Sequence, residues 1–334
     1  MTSTLPTETV TGGSPATPAT TARRRRRRYP IKVQVGAGIT LFFILIAVFG
    51  PELAPHSAAW VANTTNGTPQ PPSGSNWLGT DNTQHDLYSA LLLGARSTLL
   101  ISFVAGAFAT VLSVAMGVTS GYVGGVTDEV MSIITNIFLA LPGLLILMVI
   151  LKPLPPGDQN NSLVIGFVVA LSSWAYGARA LRAQTLTLRD QDYVVSARVI
   201  GERKRRIVIY EILPNLLPIV AASFIFTVIY GMGVYVALCY LGVVSPASGS
   251  WGTLLQTAQA SGAIEANQWW WYLPPALCIA LVGIGLALLN FGIDEIINPR
   301  IRSSRSKRRD VKFQLGLTPV VRPAASTVVE GEQL

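Results

Sequence analysis

The stretch YVVSARVIGERKRRIVIYEILPN, residues 193–215, decides the fold of this chain, because it is basic and polar yet separates two long apolar segments. Ionised side chains are costly in the hydrocarbon core of a bilayer, so a segment with this many charges is not expected to lie there. The apolar segments on either side are long enough to cross a bilayer. We therefore start from the hypothesis that residues 193–215 form a loop between two membrane spans.

The composition of the 334-residue chain favours a membrane protein. Half of its residues are hydrophobic and only 13% are charged, whereas soluble domains carry about a quarter charged residues. Six stretches approach or reach the length of about 20 apolar residues that a transmembrane helix needs. They cover residues 33–49, 99–119, 130–151, 163–181, 216–240 and 272–293. The sequence thus predicts an all-α integral membrane protein with six transmembrane helices.

Lysine and arginine are confined to a few blocks, which predicts the orientation of the spans. They occur at residues 23–28, eight times within residues 179–206 and eight times within residues 300–322, but nowhere in residues 51–95 or 241–293. Short loops rich in lysine and arginine remain on the cytoplasmic side of a membrane. Both termini and the loop at residues 182–215 are therefore predicted to be cytoplasmic.

Three regions follow from this pattern: an Arg-rich disordered tail at residues 1–28, a six-span domain at 29–302 and a disordered cytoplasmic tail at 303–334. The arginine run is not typical of a signal peptide, since the apolar segment after it continues into a full-length span. Nucleic-acid binding is disfavoured because no aromatic platform or folded basic domain accompanies the run. Attraction to anionic lipids of the inner leaflet explains it most simply.

Other chemistries find little support in the sequence. Cys239 and Cys278 lie in apolar segments, where buried thiols are expected rather than a disulfide or a metal site. His56 and His85 share one polar loop without cysteines or paired carboxylates at metal-ligand spacing. The phosphate-binding pattern G-x-x-x-x-G-K-[ST] does not occur. We expect a non-enzymatic chain with no catalytic residue, metal or cofactor of its own.

The basic loop itself has two interpretations that composition leaves open. Asp190 or Asp192 could cap the start of a short helix that ends at Gly201. Three side chains then recur on one helical face: Tyr193, Ala197 and Ile200. Such a helix could lie in a groove of a soluble partner. Alternatively, the loop is only a solvated, positively charged connection that sets the topology.

This loop resembles the cytoplasmic EAA loop of bacterial ABC-importer permeases. That pattern is Glu-Ala-Ala, three residues, Gly, nine residues, then Ile-x-Leu-Pro. The matching positions here are Ala197, Gly201, Leu213 and Pro214. Val195 and Ser196 replace the Glu and the first Ala, and Glu211 stands where the pattern has Ile. Residues 212–215, ILPN, match the form used by the dipeptide/oligopeptide branch of the family.

Further motifs resemble the C-type subunit of that branch, in the expected order. They are WLGTD at residues 77–81, Asp86 with GARS at 94–97, GYVGG at 121–125, LP at 141–142, WGTLL at 251–255 and NPR at 298–300. Gln84 and His85 replace the Gly-Arg that usually precedes the Asp. The resemblance covers about residues 30–302 and implies the ABC type I importer permease fold in a bacterial inner membrane.

The resemblance also implies partners and a cargo. It implies a second homologous permease, two ATP-binding subunits or domains that hold ATP and Mg²⁺, and an extracellular substrate-binding protein. Di- or oligopeptides are the implied cargo, with nickel chelates, glutathione and oligosaccharides as alternatives in the same branch. The implied residues of ATPase coupling are Ser196, Ala197, Arg198, Gly201, Glu202, Leu213 and Pro214, of which Ser196, Ala197 and Gly201 would face the ATPase groove.

The outer loops contain candidates for contact with the binding protein: Trp77, Asp81, Trp269 and Trp270. The tryptophans have an alternative explanation as an aromatic belt at the membrane interface. An ATP-independent secondary carrier is the alternative function. It is disfavoured because no acidic residue lies between the predicted span ends, where the only charged residue is Arg179 near the cytoplasmic end of the fourth span, and because no internal repeat is evident. A membrane-anchored signalling scaffold is disfavoured because neither tail shows a folded domain.

Overall fold

The computed structural model describes residues 31–57, 68–155, 157, 161–246 and 249–297, with side chains up to residue 293. The predicted tails and the NPR motif at 298–300 lie outside the described residues. Helices account for the regular structure, and we number them in chain order. They are α1 Ile31–Leu53, α2 Leu87–Val123, α3 Gly125–Ala140, α4 Gly143–Leu151, α5 Ser162–Arg189, α6 Asp192–Val199, α7 Leu213–Tyr240, α8 Trp251–Ala260 and α9 Trp269–Ile297.

The predicted all-α membrane architecture is confirmed. Five helical segments are long and apolar enough to cross a membrane, namely α1, α2, α5, the continuous helix Lys204–Tyr240 that includes α7, and α9; the described residues give six spans if α3 and α4 count as one. α2 is much longer than the span predicted within it, since it has 37 residues, or about 55 Å of helix.

The sequence predicts the third span as one uninterrupted segment over residues 130–151, and the structure differs. α3 and α4 are separate helices that meet at an angle of 88°. The break lies at Leu141 and Pro142, both of which have extended backbone conformations. Proline has no N–H to donate and its ring disfavours the helical conformation of the preceding residue. The LP motif therefore ends α3 and starts α4 near the middle of the span.

α2, α5 and α7 pack at the centre of the bundle. Small side chains line the buried face of α2, including Ala105, Ala109 and Ser113. Small residues let membrane helices approach closely, and hydroxyls can then bond across the interface. The Ser113 hydroxyl donates to the backbone carbonyl of Trp174 on α5 at 2.6 Å, and the Thr227 hydroxyl of α7 lies 3.3 Å from that of Thr110. These contacts fix α5 and α7 relative to α2.

α1 packs against α9 through glycines. A Cβ atom added to Gly36 would lie 2.7 Å from the backbone oxygen of Gly285, and one added to Gly285 would lie 2.8 Å from Cγ2 of Ile39. By contrast, a Cβ at Gly283 would meet no atom within 4 Å. Gly285 thus permits close helix packing, whereas nothing in the described structure requires glycine at position 283.

The predicted outer side is closed by α8 and the loop before α2. The indole of Trp251 donates to the carbonyl of Leu91 at 3.0 Å, and its backbone N–H donates to Thr98 Oγ1 at 3.1 Å. Asp86 is buried and caps α2, because its carboxylate accepts hydrogen bonds from both the N–H and the hydroxyl of Ser89. Cys239 is buried and free, as expected for a thiol in an apolar segment.

Candidate ATPase-coupling site on the cytoplasmic side

α6 is attached to the transmembrane helices through its inner face. Val194 is fully buried, together with Val118 and Tyr122 of α2 and with Ile207 and Ile212 of the segment that follows. Burial of one aliphatic side chain stabilises such a contact by about 1.5–3 kcal/mol. The helix is therefore part of the folded bundle and does not hang from it as a solvated connection.

The opposite face of α6 is exposed and partly apolar. Val199 and Ile200 are exposed to 82% and 81%, and Ser196 is exposed beside them. The predicted face of Tyr193, Ala197 and Ile200 is not uniformly exposed, because Ala197 is half-buried and packs against the Val194 cluster while Tyr193 and Ile200 are exposed. In a helix of only eight residues, which side chains are buried depends on the few residues that pack against it. The spacing of residues along the helix does not reveal those neighbours.

Gly201 ends α6 in a Schellman motif. Its φ is +86°, the Glu202 N–H donates to the Ala197 carbonyl, and the Gly201 N–H donates to the Arg198 carbonyl. This confirms Gly201 as the end of the short helix. The start differs from the prediction, since Gln191 occupies the N-cap without a side-chain hydrogen bond and Asp192 is the first helical residue. At this position the negative Asp192 carboxylate still stabilises the helix, because it lies near the positive end of the helix dipole.

Arginine side chains connect α6 to α5 and α2. The Arg198 guanidinium lies 6.0 Å from the centre of the Tyr122 ring and donates to the carbonyl of Arg189 at 3.3 Å. Arg189 in turn donates to the carbonyl of Gly121 at 3.5 Å. A cation over an aromatic ring contributes about 0.5–1 kcal/mol when exposed. Arg198 is thus exposed but lies against the bundle.

The chain re-enters the bundle through an unusual helical turn. After Lys204–Arg206, residues Ile207–Ile212 form a π-helical turn that continues into α7. Ile207 and Ile212 are buried, Leu213 is half-buried and Pro214 is exposed. The turn ends two residues before Pro214, which supplies no N–H to the helix. Glu202 is half-buried and its carboxylate lies 3.5 Å from Nε of Arg206.

The seven predicted coupling residues therefore form one unit with two sides. Ser196, Gly201 and Pro214 are exposed, whereas Ala197, Glu202 and Leu213 are partly covered by their own chain. Sequence reasoning missed the inner side of this unit. Tyr122 lies more than 70 positions before Val194, and its GYVGG motif gave no sign that it packs under the loop.

A second missed feature is the ion pair between Asp128 of α3 and Arg182 of α5. Arg182 Nε lies 2.6 Å from Oδ1 of Asp128, and Nη2 lies 2.7 Å from Oδ2. A bidentate pair of this kind is among the stronger polar contacts in proteins. The sequence placed both residues near the predicted cytoplasmic side, which is the signal that could have suggested a pairing.

The four outer-loop candidates comprise two exposed tryptophans, one half-buried tryptophan and an aspartate that stabilises its own turn. Trp77 and Trp269 are exposed, at 64% and 48%, while Trp270 is half-buried against the loop around Gly79. The loop before α2 and the start of α9 therefore meet. Asp81 accepts hydrogen bonds from the backbone N–H groups of Thr83 and His85, so its carboxylate stabilises its own turn.

The chain matches known transport proteins over most of its length. Residues 109–303 match the family described as "Binding-protein-dependent transport system inner membrane component". The chain is 29% identical over 272 residues to the oligopeptide transport system permease protein OppC of Bacillus subtilis, covering 80% of this chain and 85% of the relative. It is 30% identical over 273 residues to the dipeptide transport system permease protein DppC of Alkalihalophilus pseudofirmus, covering 80% and 86%.

A solved structure of the MetNI methionine ABC transporter in inward-facing conformations aligns with a TM-score of 0.48 and 23% identity, over 62% of this chain and 94% of the other. The family match spans the predicted coupling residues, the broken third span, α5, α7 and the second part of α2. Together with the membrane-spanning helices, it agrees with the resemblance found in the sequence. The chain belongs to the binding-protein-dependent transport system inner membrane components and is a multi-pass permease of the bacterial cytoplasmic membrane.

Proposed function

We propose that this chain is one of two permease subunits in an ATP-driven importer of di- or oligopeptides, and that it forms half of the translocation pathway. Family membership supports the role of permease. The cargo is supported by relatives whose names specify oligopeptide and dipeptide transport. The same fold with a nickel chelate, glutathione or an oligosaccharide as cargo is the alternative.

The observation that carries the role in an ATP-driven complex is the two-sided coupling unit. Val199 and Ile200 expose large aliphatic side chains in a loop that is otherwise strongly basic. Covering each of them would contribute about 1.5–3 kcal/mol, which an ATP-binding subunit seated on α6 would provide. Because Val194 holds the other side of α6 against the bundle, movement of that subunit would shift the membrane helices as rigid bodies.

ATP and Mg²⁺ belong to the partner subunits in this proposal. The chain lacks the G-x-x-x-x-G-K-[ST] pattern that surrounds nucleotide phosphates. On the opposite side of the membrane, an extracellular binding protein would deliver the peptide. The exposed rings of Trp77 and Trp269 support contact there, since exposed aromatic side chains are enriched at protein interfaces.

The test is a deletion of this chain in its own host, combined with affinity purification of the tagged chain from native membranes. Uptake of radiolabelled tri-alanine should be lost on deletion and restored by the tagged chain. ATP-binding subunits and a second permease should co-purify and hydrolyse ATP. If the chain purifies alone and still moves solute in vesicles, the carrier alternative replaces the importer. If complementation restores uptake of another cargo and not of peptides, the proposed cargo is wrong.

A further inference from the structure

A cavity of about 230 Å³ lies at the break of the third span. Its walls come from the broken pair α3 and α4, from α5 and from α7. The residues that matter for its chemistry are Leu141, Ser172, Tyr176, Phe226, Thr227 and Tyr230. The predicted coupling and outer-loop residues are absent from this lining, so the cavity is separate from both sites described above.

The cavity lies at the middle of the membrane-spanning helices. Tyr176 is 14 residues from the start of α5 at Ser162 and 13 from its end at Arg189. Thr227 likewise divides α7, Leu213–Tyr240, into halves of 14 and 13 residues. Leu141 marks the break of the third span. The walls of the cavity therefore meet near the bilayer midplane.

The open side of this cavity does not suit contact with lipid. Tyr176, Phe226 and Tyr230 are exposed to 64%, 47% and 39%. The hydroxyls of Tyr176 and Tyr230 have no hydrogen-bond partner among the described residues. Polar groups at this depth are costly in hydrocarbon unless something satisfies them. The face must meet water, another protein surface or a ligand.

The chemistry of the lining specifies what the cavity would take. The rings of Tyr176 and Phe226 lie 5.6 Å apart with a tilt of 34°, and two phenols can donate hydrogen bonds to a carbonyl oxygen. No charged side chain is present in the described lining. An uncharged group with a flat or apolar part and a carbonyl fits this set, which describes one residue of a peptide chain.

The size of the cavity points the same way. Sites that enclose a drug-sized ligand have volumes of about 300–1,000 Å³, and this cavity is smaller at about 230 Å³. It would hold one large side chain.

A second, polar cavity of about 190 Å³ lies nearer the predicted cytoplasmic side. It contains Asn136 and Ser132 of α3 and Arg179 of α5. Arg179 lies three residues after Tyr176, which places the two side chains on the same helical face. The cavity nearer the predicted cytoplasmic side is thus the more polar of the two, since it contains Arg179 and Asn136 whereas the described lining of the midplane cavity has no charged side chain. This difference in polarity suits a peptide that leaves toward water.

We propose that the midplane cavity binds side chains of the transported peptide and makes this subunit sensitive to their bulk, with Tyr176, Phe226 and Tyr230 as the contacting residues. This inference rests on the proposed function. Filling the cavity should then exclude bulky side chains while small ones still pass.

The test is Ser172→Trp in the deletion host, with Val111→Trp as the matched control. Val111 is exposed to 69% near the middle of α2, so it receives the same side chain outside the cavity. With Ser172→Trp we expect uptake of a Phe-Phe-Phe peptide to fall at least about tenfold more than uptake of tri-alanine. The control should change neither uptake rate.

A second variant covers the case in which Ser172→Trp does not fold. Tyr230→Phe removes only the phenol hydroxyl, and we expect it to lower uptake of both peptides about fivefold through the lost hydrogen bond. A benzophenone-bearing tripeptide should also cross-link to tryptic fragments that contain Tyr176 or Tyr230. Cross-linking confined to other fragments overturns the proposal.

Equal loss of both peptides in Ser172→Trp, together with loss of the second permease on purification, would identify the cavity as a subunit interface and overturn the proposal. Unchanged uptake of the bulky peptide would overturn it as well. Failure of the wild-type chain to restore any peptide uptake is a different result, because it contradicts the proposed function itself.

Discussion

Arg182 on α5 holds Asp128 on α3 through two parallel hydrogen bonds, at 2.6 Å and 2.7 Å. Asp128 lies in the first turn of α3, the predicted cytoplasmic half of the broken third span. Ser132, one turn later on α3, donates a further hydrogen bond to the same carboxylate at 3.3 Å. Since α4 leaves α3 at 88°, α4 does not continue α3 as a straight helix would. The ion pair instead ties the start of α3 to α5.

The ion pair should be measurable as a coupling between two substitutions. The side chains of Arg182 and Asp128 are 35% and 21% exposed, so screening reduces the pair to about 1 kcal/mol rather than the 3–5 kcal/mol lost on breaking a buried one. We expect Asp128→Asn and Arg182→Gln each to lower the thermal stability of the purified complex. The double variant should be less damaged than the sum of the two. Strict additivity would show that the pair does not interact energetically.

A charge added to the inner side of α6 should open the helix locally, whereas a charge added to the outer side should leave it folded. Val194 is fully buried and Val195 is 41% exposed, so the same substitution at these adjacent positions is a matched test. Val194→Asp places a carboxylate in an apolar cluster and should detach α6 from the bundle. We expect trypsin to cleave this variant at Arg198 at least about tenfold faster than the wild type, because cleavage requires local opening.

Val195→Asp should leave the cleavage rate of α6 close to that of the wild type. Co-purification of ATP-binding subunits gives the complementary readout, because a charge on the outer face would weaken docking without opening the helix. Equal cleavage of both variants would contradict the assigned orientation of α6.

Gly201 offers a cleaner test of coupling than Ala197. No atom lies within 4 Å of a Cβ built on Gly201, so Gly201→Trp adds bulk to the outer surface at a backbone cost of about 1–2 kcal/mol from its positive φ. Ala197→Trp would instead disturb the Val194 cluster. We expect Gly201→Trp to fold and to abolish peptide uptake.

The control at this position is Gly201→Asn, since asparagine tolerates positive φ and is small. It should retain uptake within about threefold of the wild type, because only the backbone strain is added. Wild-type uptake by Gly201→Trp would exclude contact between this surface and the ATP-binding subunit.

The sequence predicts most of the spans and the end of the short helix at Gly201 well, because both depend on local signals. Apolar length defines a membrane helix, and a glycine after a short helical pattern predicts the Schellman end that Gly201 forms. Such features involve residues that are close together in the chain. Predictions of these features therefore do not depend on how the helices pack against one another.

The errors arise where distant residues decide the outcome. Ala197 faces inward because Tyr122 and Ile207 provide an apolar surface beneath α6, which the spacing of α6 alone does not contain. Proline is tolerated in many membrane helices because neighbours satisfy the freed backbone groups, so Leu141 and Pro142 did not by themselves predict a bend of 88°. The midplane cavity depends on that bend and was not predicted.

Gly283 and Gly285 show the same limit and provide the last prediction. They look equivalent in the sequence, yet only Gly285 contacts α1, through Ile39. Gly285→Leu should force α9 away from α1 and destabilise the protein by about 1–3 kcal/mol, as overpacking generally does. Gly283→Leu adds the same side chain to open space, so it should leave stability near that of the wild type. Thermal denaturation of the two variants in detergent measures the difference, and equal loss of stability would show that α1 and α9 do not pack at Gly285.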